Sequence, residues 1–152
     1  MRDSIVRTVT AFGAIAVVMT ETLGAAGWLR PVPVAVAWLA VCIATAWRLR
    51  RMTAPRLPRL GAVEWVLVSA CAGIVAVVAV VALLSPPNSA DAMTYHLPRV
   101  VYWAQAGSVA FFPTPYYNQV MLAPGAEYLM LHTYLLTGGD RLVNLIACGA
   151  FA

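Results

Sequence analysis

Lysine is absent from this chain, and charge of either sign is scarce: 11% of its 152 residues are charged, while 62% are hydrophobic. Soluble domains carry roughly 25% charged and 45–50% apolar residues. A water-soluble fold could not cover this much apolar surface with so few charges, so composition selects the membrane class. The ten basic residues, all Arg, give a formal net charge of +4. They fall between apolar runs instead of gathering on one face of a soluble scaffold. That excludes nucleic acid as the expected partner and makes them signals of membrane topology. Cysteine is thin as well. Cys42, Cys71 and Cys148 each lie inside an apolar run, without the paired spacing of a zinc site, and read as small apolar residues. No internal repeat or low-complexity segment is visible.

What is present is a series of apolar runs. The run from Val9 to Leu29 is long enough to cross a hydrocarbon core of ~30 Å, at about 1.5 Å per helical residue. It reads as a retained first helix rather than a signal peptide. Glu21 falls within it, either a functional carboxylate or a residue at headgroup level near the helix end. A second helix is expected from about Val34 to Trp47, after the Arg30-Pro31-Pro33 connector, and a third from Ala62 to Leu84. Between them, Arg48–Leu60 carries five Arg and two Pro, and the positive-inside rule makes it a cytoplasmic loop. The amino terminus, with Arg2 and Arg7, is then cytoplasmic too, and residues 85–140 lie outside. A fourth apolar run starts at Arg141 and reaches only Ala152, too short to span. It reads as the start of a fourth membrane helix at the front of a longer protein. The expected fold is therefore an all-α, polytopic membrane protein with a large extracytoplasmic loop.

That loop, residues 85–140, holds both histidines, every tyrosine, and three of the six acidic residues. Leu97, Val100, Val101 and Ala104 recur at helical spacing after Pro98. They predict an amphipathic helix to Ala106 lying along the interface, with Tyr102 and Trp103 at headgroup level and Gly107 as its stop. Phe111 to Gly125, with three Pro, reads as extended or turning. A second helix is expected from about Gly125 to Leu136, with Glu127 in its first turn and Asp140 capping the fourth helix. The residues able to carry chemistry are Asp91, Tyr95, His96 and Arg99, with Glu127 as a more distant partner. Asp91, Tyr95 and Arg99 are spaced four apart and would share one face of a continuous helix. Each also has a plainer reading: Asp91 a helix cap, His96 a hydrogen-bonded interfacial histidine, Arg99 a lipid-headgroup ligand, Glu127 a dipole partner. His132 lies five positions after Glu127, off its face, and is left out of the site.

The stretch PPNSADAMTYHLPRVVYWAQAGSVAFFPT, continued by PGAEYLMLHTYLLTGGDRL, resembles the first large outer loop of GT-C glycosyltransferases. It is most similar to bacterial members of glycosyltransferase family 39, relatives of protein O-mannosyltransferases and the lipid A aminoarabinose transferase. The features are Asp91, Tyr95-His96, Pro98-Arg99, Trp103, Gly107-Ser108 and Pro113-Thr114, in that order. The resemblance covers roughly the last third of the chain. It implies a plasma-membrane enzyme that moves a sugar from a polyprenyl-phosphate donor to a glycan, lipid or protein acceptor at the outer face. By the same resemblance Asp91 is the catalytic carboxylate. Two departures are visible. Many relatives carry Asp-Glu where this chain has Asp91-Ala92, and their loop follows the first helix where this one follows the third.

The chemistry fits the residue types. A hydroxyl nucleophile needs a base during attack, and a carboxylate stabilises positive charge developing on the sugar. A guanidinium grips a lipid phosphate in a fork, which makes Arg99 a candidate donor-phosphate clamp. Tyr95, His96 and Glu127 would complete substrate binding. Asp91, His96 and Glu127 could hold a divalent ion, though the set is too loose to name one. Membrane lipids are the remaining expected partner. The alternative readings are a non-catalytic membrane scaffold or truncated product, and a transporter subunit. The fragment alone is expected to be inactive.

Overall fold

The computed structural model describes residues 2–51 and 60–151. Most of the expected basic loop, Met52–Arg59, lies outside the described residues. Among the described residues all regular structure is helical. Three helices are long and apolar enough to cross a membrane: α1 (Arg2–Ala25), whose apolar window is Val6–Ala25, α2 (Pro31–Leu49) and α3 (Ala62–Leu84).

The boundaries follow local chemistry. The apolar run of α1 continues to Leu29, but the helix does not. Gly27 adopts φ +69°, Trp28 N–H donates to the Leu23 carbonyl at 2.7 Å, and Gly27 N–H donates to Gly24 at 3.0 Å. This is the glycine-terminated Schellman turn, and it ends the helix four residues before the hydrophobicity does. α2 starts at Pro31, three residues earlier than expected, because a first-turn proline needs no N–H and already holds helical φ. α3 begins where Glu64 Oε2 accepts the Gly61 N–H at 2.7 Å, and Pro86 and Pro87 follow its end. At the foot of α2 the Arg51 guanidinium stacks over the Trp47 ring, 3.8 Å from its centroid.

Residues 85–143 fold into a compact unit. Its main elements are α4 (Leu97–Ala106), a short α5 (Asn118–Met121) and α6 (Gly125–Thr137). α4 and α6 pack on each other, and α6 lies against both α1 and α2. The hydrophobic core sits here. Leu97, Val100 and Trp103 of α4 meet Tyr128, Met130, Leu131 and Leu135 of α6, with Leu29 from the α1–α2 connector, Val34 from the first turn of α2 and Val143 beyond α6. Trp103, expected at headgroup level, is buried, while Tyr102 is partly exposed and stacks on Phe112 with ring centroids 4.0 Å apart.

The connector is fastened to the unit at one close approach. Leu29 N–H donates to the Gly107 carbonyl at 3.1 Å. Gly107 has φ +68°, and a β-carbon there would sit 3.1 Å from the Gly27 carbonyl oxygen and from Arg30 Nε. Finally, α7 (Asn144–Phe151) packs against α3, and Asn144 Nδ2 donates to the Ser85 carbonyl at 2.8 Å. Asp140 was expected to cap this last helix. It instead opens a preceding turn, its carbonyl accepting the Val143 N–H at 2.9 Å, and α7 starts only at Asn144.

Candidate functional site

The helix that carries most of the candidate residues begins before Pro98. Ser89 Oγ accepts the Ala92 N–H at 3.1 Å, the N-cap geometry. Asp91 already has helical dihedrals, φ −63° and ψ −46°, and makes no side-chain cap bond. Ser89 is therefore the cap, and Asp91 is an exposed carboxylate in the first turn. From Ala92 to His96 the helix widens into a π turn, closed by Leu97 N–H donating to the Ala92 carbonyl, and α4 follows directly. Such a bulge is one way a helix takes in a proline. Pro98 has no N–H for the Thr94 carbonyl four residues back, and the Gln119 side chain supplies the missing donor at 2.8 Å. Gln119 is held in turn by Thr114 Oγ1, which donates to its Oε1 at 2.8 Å.

The π turn separates the residues expected on one face. Asp91 stays exposed, Tyr95 is half-buried, and Arg99 is 1% exposed. Arg99 meets Glu127, 2% exposed, through an ion pair of 3.0 Å from its Nη1 to Oε1. His96 Nδ1 lies 3.0 Å from the same oxygen. A carboxylate can only accept, so Nδ1 carries the hydrogen of this bond. The remaining contacts of Arg99 also point inward. Its Nε donates to the Gln119 carbonyl and its Nη2 to the Asn118 carbonyl at 3.1 Å, and its Cζ lies 5.5 Å from the Trp103 ring centroid. Arg99 thus ties α4 to α6 and to α5. Tyr95 packs on His96 with ring centroids 4.1 Å apart. Its phenol is pushed above the ordinary value, first by partial burial, then by the carboxylates of Asp91 and Glu127.

Two further polar groupings were not anticipated as such. The Tyr128 hydroxyl donates to Glu21 Oε1, linking α6 to α1. Burial, with that bond second, pushes the Tyr128 phenol up to about 12. The pair borders a cavity of about 220 Å³, whose wall also includes Arg99, Trp103, Phe111 and Phe112. Trp103 is 6% exposed, and its indole N–H has no hydrogen-bond partner. Glu21 stood out in the sequence as a carboxylate in an apolar run, but nothing there pairs it with a tyrosine 107 residues away.

The second grouping surrounds His132, 3% exposed. Trp38 Nε1 can only donate, so His132 Nδ1 accepts from it at 3.2 Å. Nε2 then donates to Thr20 Oγ1 at 3.1 Å, and Thr20 donates onward to the Ala16 carbonyl at 2.7 Å. Every donor and acceptor in this chain is matched with the imidazole neutral. Burial lowers its pKa to about 4. His132 thus pins α6 to α1 and α2, away from the His96–Glu127 pair.

Among the described residues, no group of three or more His, Cys, Asp or Glu side chains is close enough together to hold a metal ion. The site is therefore an exposed carboxylate, Asp91, on the same helix as an imidazole whose ring orientation is set by a buried Glu127–Arg99 pair. Set against known protein families, curated proteins and solved structures, the chain matches none.

Proposed function

We propose that this chain is part of a GT-C-type membrane glycosyltransferase, moving a sugar from a polyprenyl-phosphate donor to an acceptor at the outer face of the plasma membrane. One observation carries the reading. Asp91 stands exposed and free of capping duty at the head of a stretch whose residue order, from Asp91 to Thr114, resembles that family's outer loop. In the proposed reaction an acceptor hydroxyl attacks the anomeric carbon, Asp91 takes its proton, and the lipid phosphate departs with the electrons of the broken C–O bond. His96 and Tyr95 would contact substrate. Glu127 and Arg99 would act through His96, as positioning residues. The orientation comes from the arginines: amino terminus inside, residues 85–140 outside.

The test uses the protein as its own cells make it. Asp91→Asn, introduced at the chromosomal locus, should lower transfer of a radiolabelled sugar from a polyprenyl-phosphate donor by about 10²- to 10⁴-fold in isolated membranes, at equal protein level. Activity within about threefold of wild type, well short of a general-base loss, would remove Asp91 from the mechanism. Topology is checked separately, with the native cysteines replaced. A cysteine at Ala106 should react with an impermeant thiol reagent in intact cells, and one at Thr53 should not. The inward-turned hydrogen bonds of Arg99 favour a second reading, a non-catalytic scaffold. Absence of any transfer dependent on this chain would select it.

A further inference from the structure

The segment joining α4 to α6 carries large apolar side chains on its outside. No residue between Arg99 and Glu127 is charged. Within that stretch Phe111 is 87% exposed, and Tyr116, Tyr117, Met121 and Leu122 are exposed as well. Exposed apolar side chains gathered in one segment mark a surface that meets something other than water. The segment is pinned from within. Arg99 donates to the Asn118 and Gln119 carbonyls, and Phe112 stacks on Tyr102.

Its level relative to the membrane is set by α1. A β-carbon on Gly24 would stand 3.1 Å from the Val109 side chain and 3.3 Å from its backbone nitrogen. Phe111 and Leu122 line one cavity together with Glu21. Gly24 and Glu21 both belong to the apolar window Val6–Ala25, which at about 1.5 Å per residue matches a hydrocarbon core of ~30 Å. Glu21 stands about 6 Å of helix rise from the end of that window. The segment therefore meets the span beside its last turns, where acyl chains give way to headgroups.

We infer that residues 111–122 are seated in the headgroup–acyl boundary of the lipid leaflet beside the end of α1. Phe and Tyr rings suit that level, and interfacial elements sink about 5–10 Å into it. With no charged side chain, the segment enters without desolvating an ion. The hydrocarbon core is excluded, because irregular backbone facing lipid there would leave polar groups without partners. A water-soluble partner fits poorly, because the segment adjoins a span whose own residues are mostly exposed. The sequence pattern placed α4 at the interface, with Trp103 at headgroup level. Trp103 is buried in the core, and the interfacial role passes to the segment that follows α4. The Gln119 side chain donates to the Thr94 carbonyl in the π turn, so the seated segment fixes the height of the helix that carries Asp91. The inference rests on α1 crossing a membrane and not on the proposed transfer chemistry.

The test compares two methionines of nearly equal exposure in the unmodified chain. Met121 is 58% exposed, and Met93, in the π turn, is 55% exposed. The chain, carrying 13C-methyl methionine, is placed in phosphatidylcholine nanodiscs, and the two signals are assigned with Met121→Leu and Met93→Leu. Line broadening is then measured with a phosphatidylcholine spin-labelled near the top of its acyl chain and, separately, with a water-soluble gadolinium chelate. The ratio of lipid to chelate broadening should be several-fold higher at Met121 than at Met93. Equal ratios would overturn the inference. So would a Met121 methyl that responds to neither agent, which would mean that protein, from a second copy or another segment, covers the patch. If Asp91→Asn keeps full transfer activity, the proposed enzyme mechanism fails while the interfacial seat stands.

Discussion

Helices α3 and α6 are opposites. α3 is the most apolar of the three candidate spans, yet of its 23 residues only Ala82 is buried within the protein. α6 is shorter, with 13 residues, and six of them are buried, including Glu127 and His132. In a soluble protein the ranking would be reversed, because water drives apolar residues into the core. In a membrane, lipid is as apolar as the side chains, and a uniformly apolar helix gains little by packing. What α6 adds to its apolar contacts is polar pairing: Glu127 with Arg99 and His96, His132 with Trp38 and Thr20, Tyr128 with Glu21. Apolar residues cover the outside of the spans, whereas the α4–α6 unit combines an apolar core with buried polar groups that are partnered.

The largest expected effect breaks that contrast at its centre. Glu127→Ala leaves the Arg99 guanidinium buried without its carboxylate, and removing one partner of a buried ion pair costs about 3–5 kcal/mol. Val77→Ala on the exposed face of α3 should cost less than about 0.5 kcal/mol. Thermal unfolding of the two variants in the same detergent should separate them by roughly 10 °C. Equal midpoints would mean that the spans, and not the α4–α6 unit, set the stability.

Next in size is His132. Its folded pKa is lowered from 6.5 to about 4 by burial, so the unfolded chain takes up the proton first. The stabilisation is full above the unfolded value and is lost as pH falls from about 6.5 towards 4. A shift of that size corresponds to about 3 kcal/mol. The unfolding midpoint should therefore drop between pH 7.5 and 4.5. His132→Gln should remove most of the drop, since an amide can still accept from Trp38 and donate to Thr20 but does not titrate. An unchanged pH slope in that variant would locate the dependence elsewhere.

How much of this was legible in the sequence follows the same division. The third span was legible to the residue, because a long apolar run with a glutamate at its start and prolines at its end leaves few choices. The amphipathic pattern after Pro98 and the glycine stops located α4 and α6. The first span, expected over Val9–Leu29, lies at Arg2–Ala25: its end falls short because hydrophobicity outlasts the helix and the stop is a backbone event at Gly27, and its start reaches into the polar residues before Val9. The π turn was not legible. It arises where a helix capped at Ser89 runs into Pro98, and it rotates Asp91 out of the face it would share with Arg99. The union of His96, Arg99 and Glu127 depends on how α4 meets α6, which spacing along one helix cannot specify. Glu21 and Tyr128 lay in different segments, and only the tertiary fold joins them.

A smaller effect sharpens the boundary between the two regions. Gly107 holds φ +68° where the connector crosses the end of α4, and a β-carbon there would press on Gly27 and Arg30. Gly107→Ala should cost about 1–2 kcal/mol from the left-handed backbone alone. It should also raise hydrogen exchange at the Leu29 amide, which bonds to the Gly107 carbonyl. Unaltered exchange at Leu29 would show that the connector is held by its apolar contacts rather than by this bond.

The smallest effect concerns the helix start, where stability and the proposed chemistry part company two residues apart. Ser89 Oγ satisfies the first-turn N–H of Ala92, and replacing a serine cap with alanine costs about 1 kcal/mol. Asp91 makes no capping bond. What it offers stability is the attraction of a first-turn carboxylate to the helix dipole, about 0.3–1 kcal/mol at low salt and less when screened. Asp91→Asn should therefore shift the unfolding midpoint less than Ser89→Ala does, and at physiological salt the shift should be close to zero. If the order is reversed, Asp91 is serving the helix after all, and any loss of transfer on its replacement could be a loss of fold. If the order holds, a large fall in transfer with an unmoved midpoint can only come from the carboxylate's charge at the exposed end of the π turn.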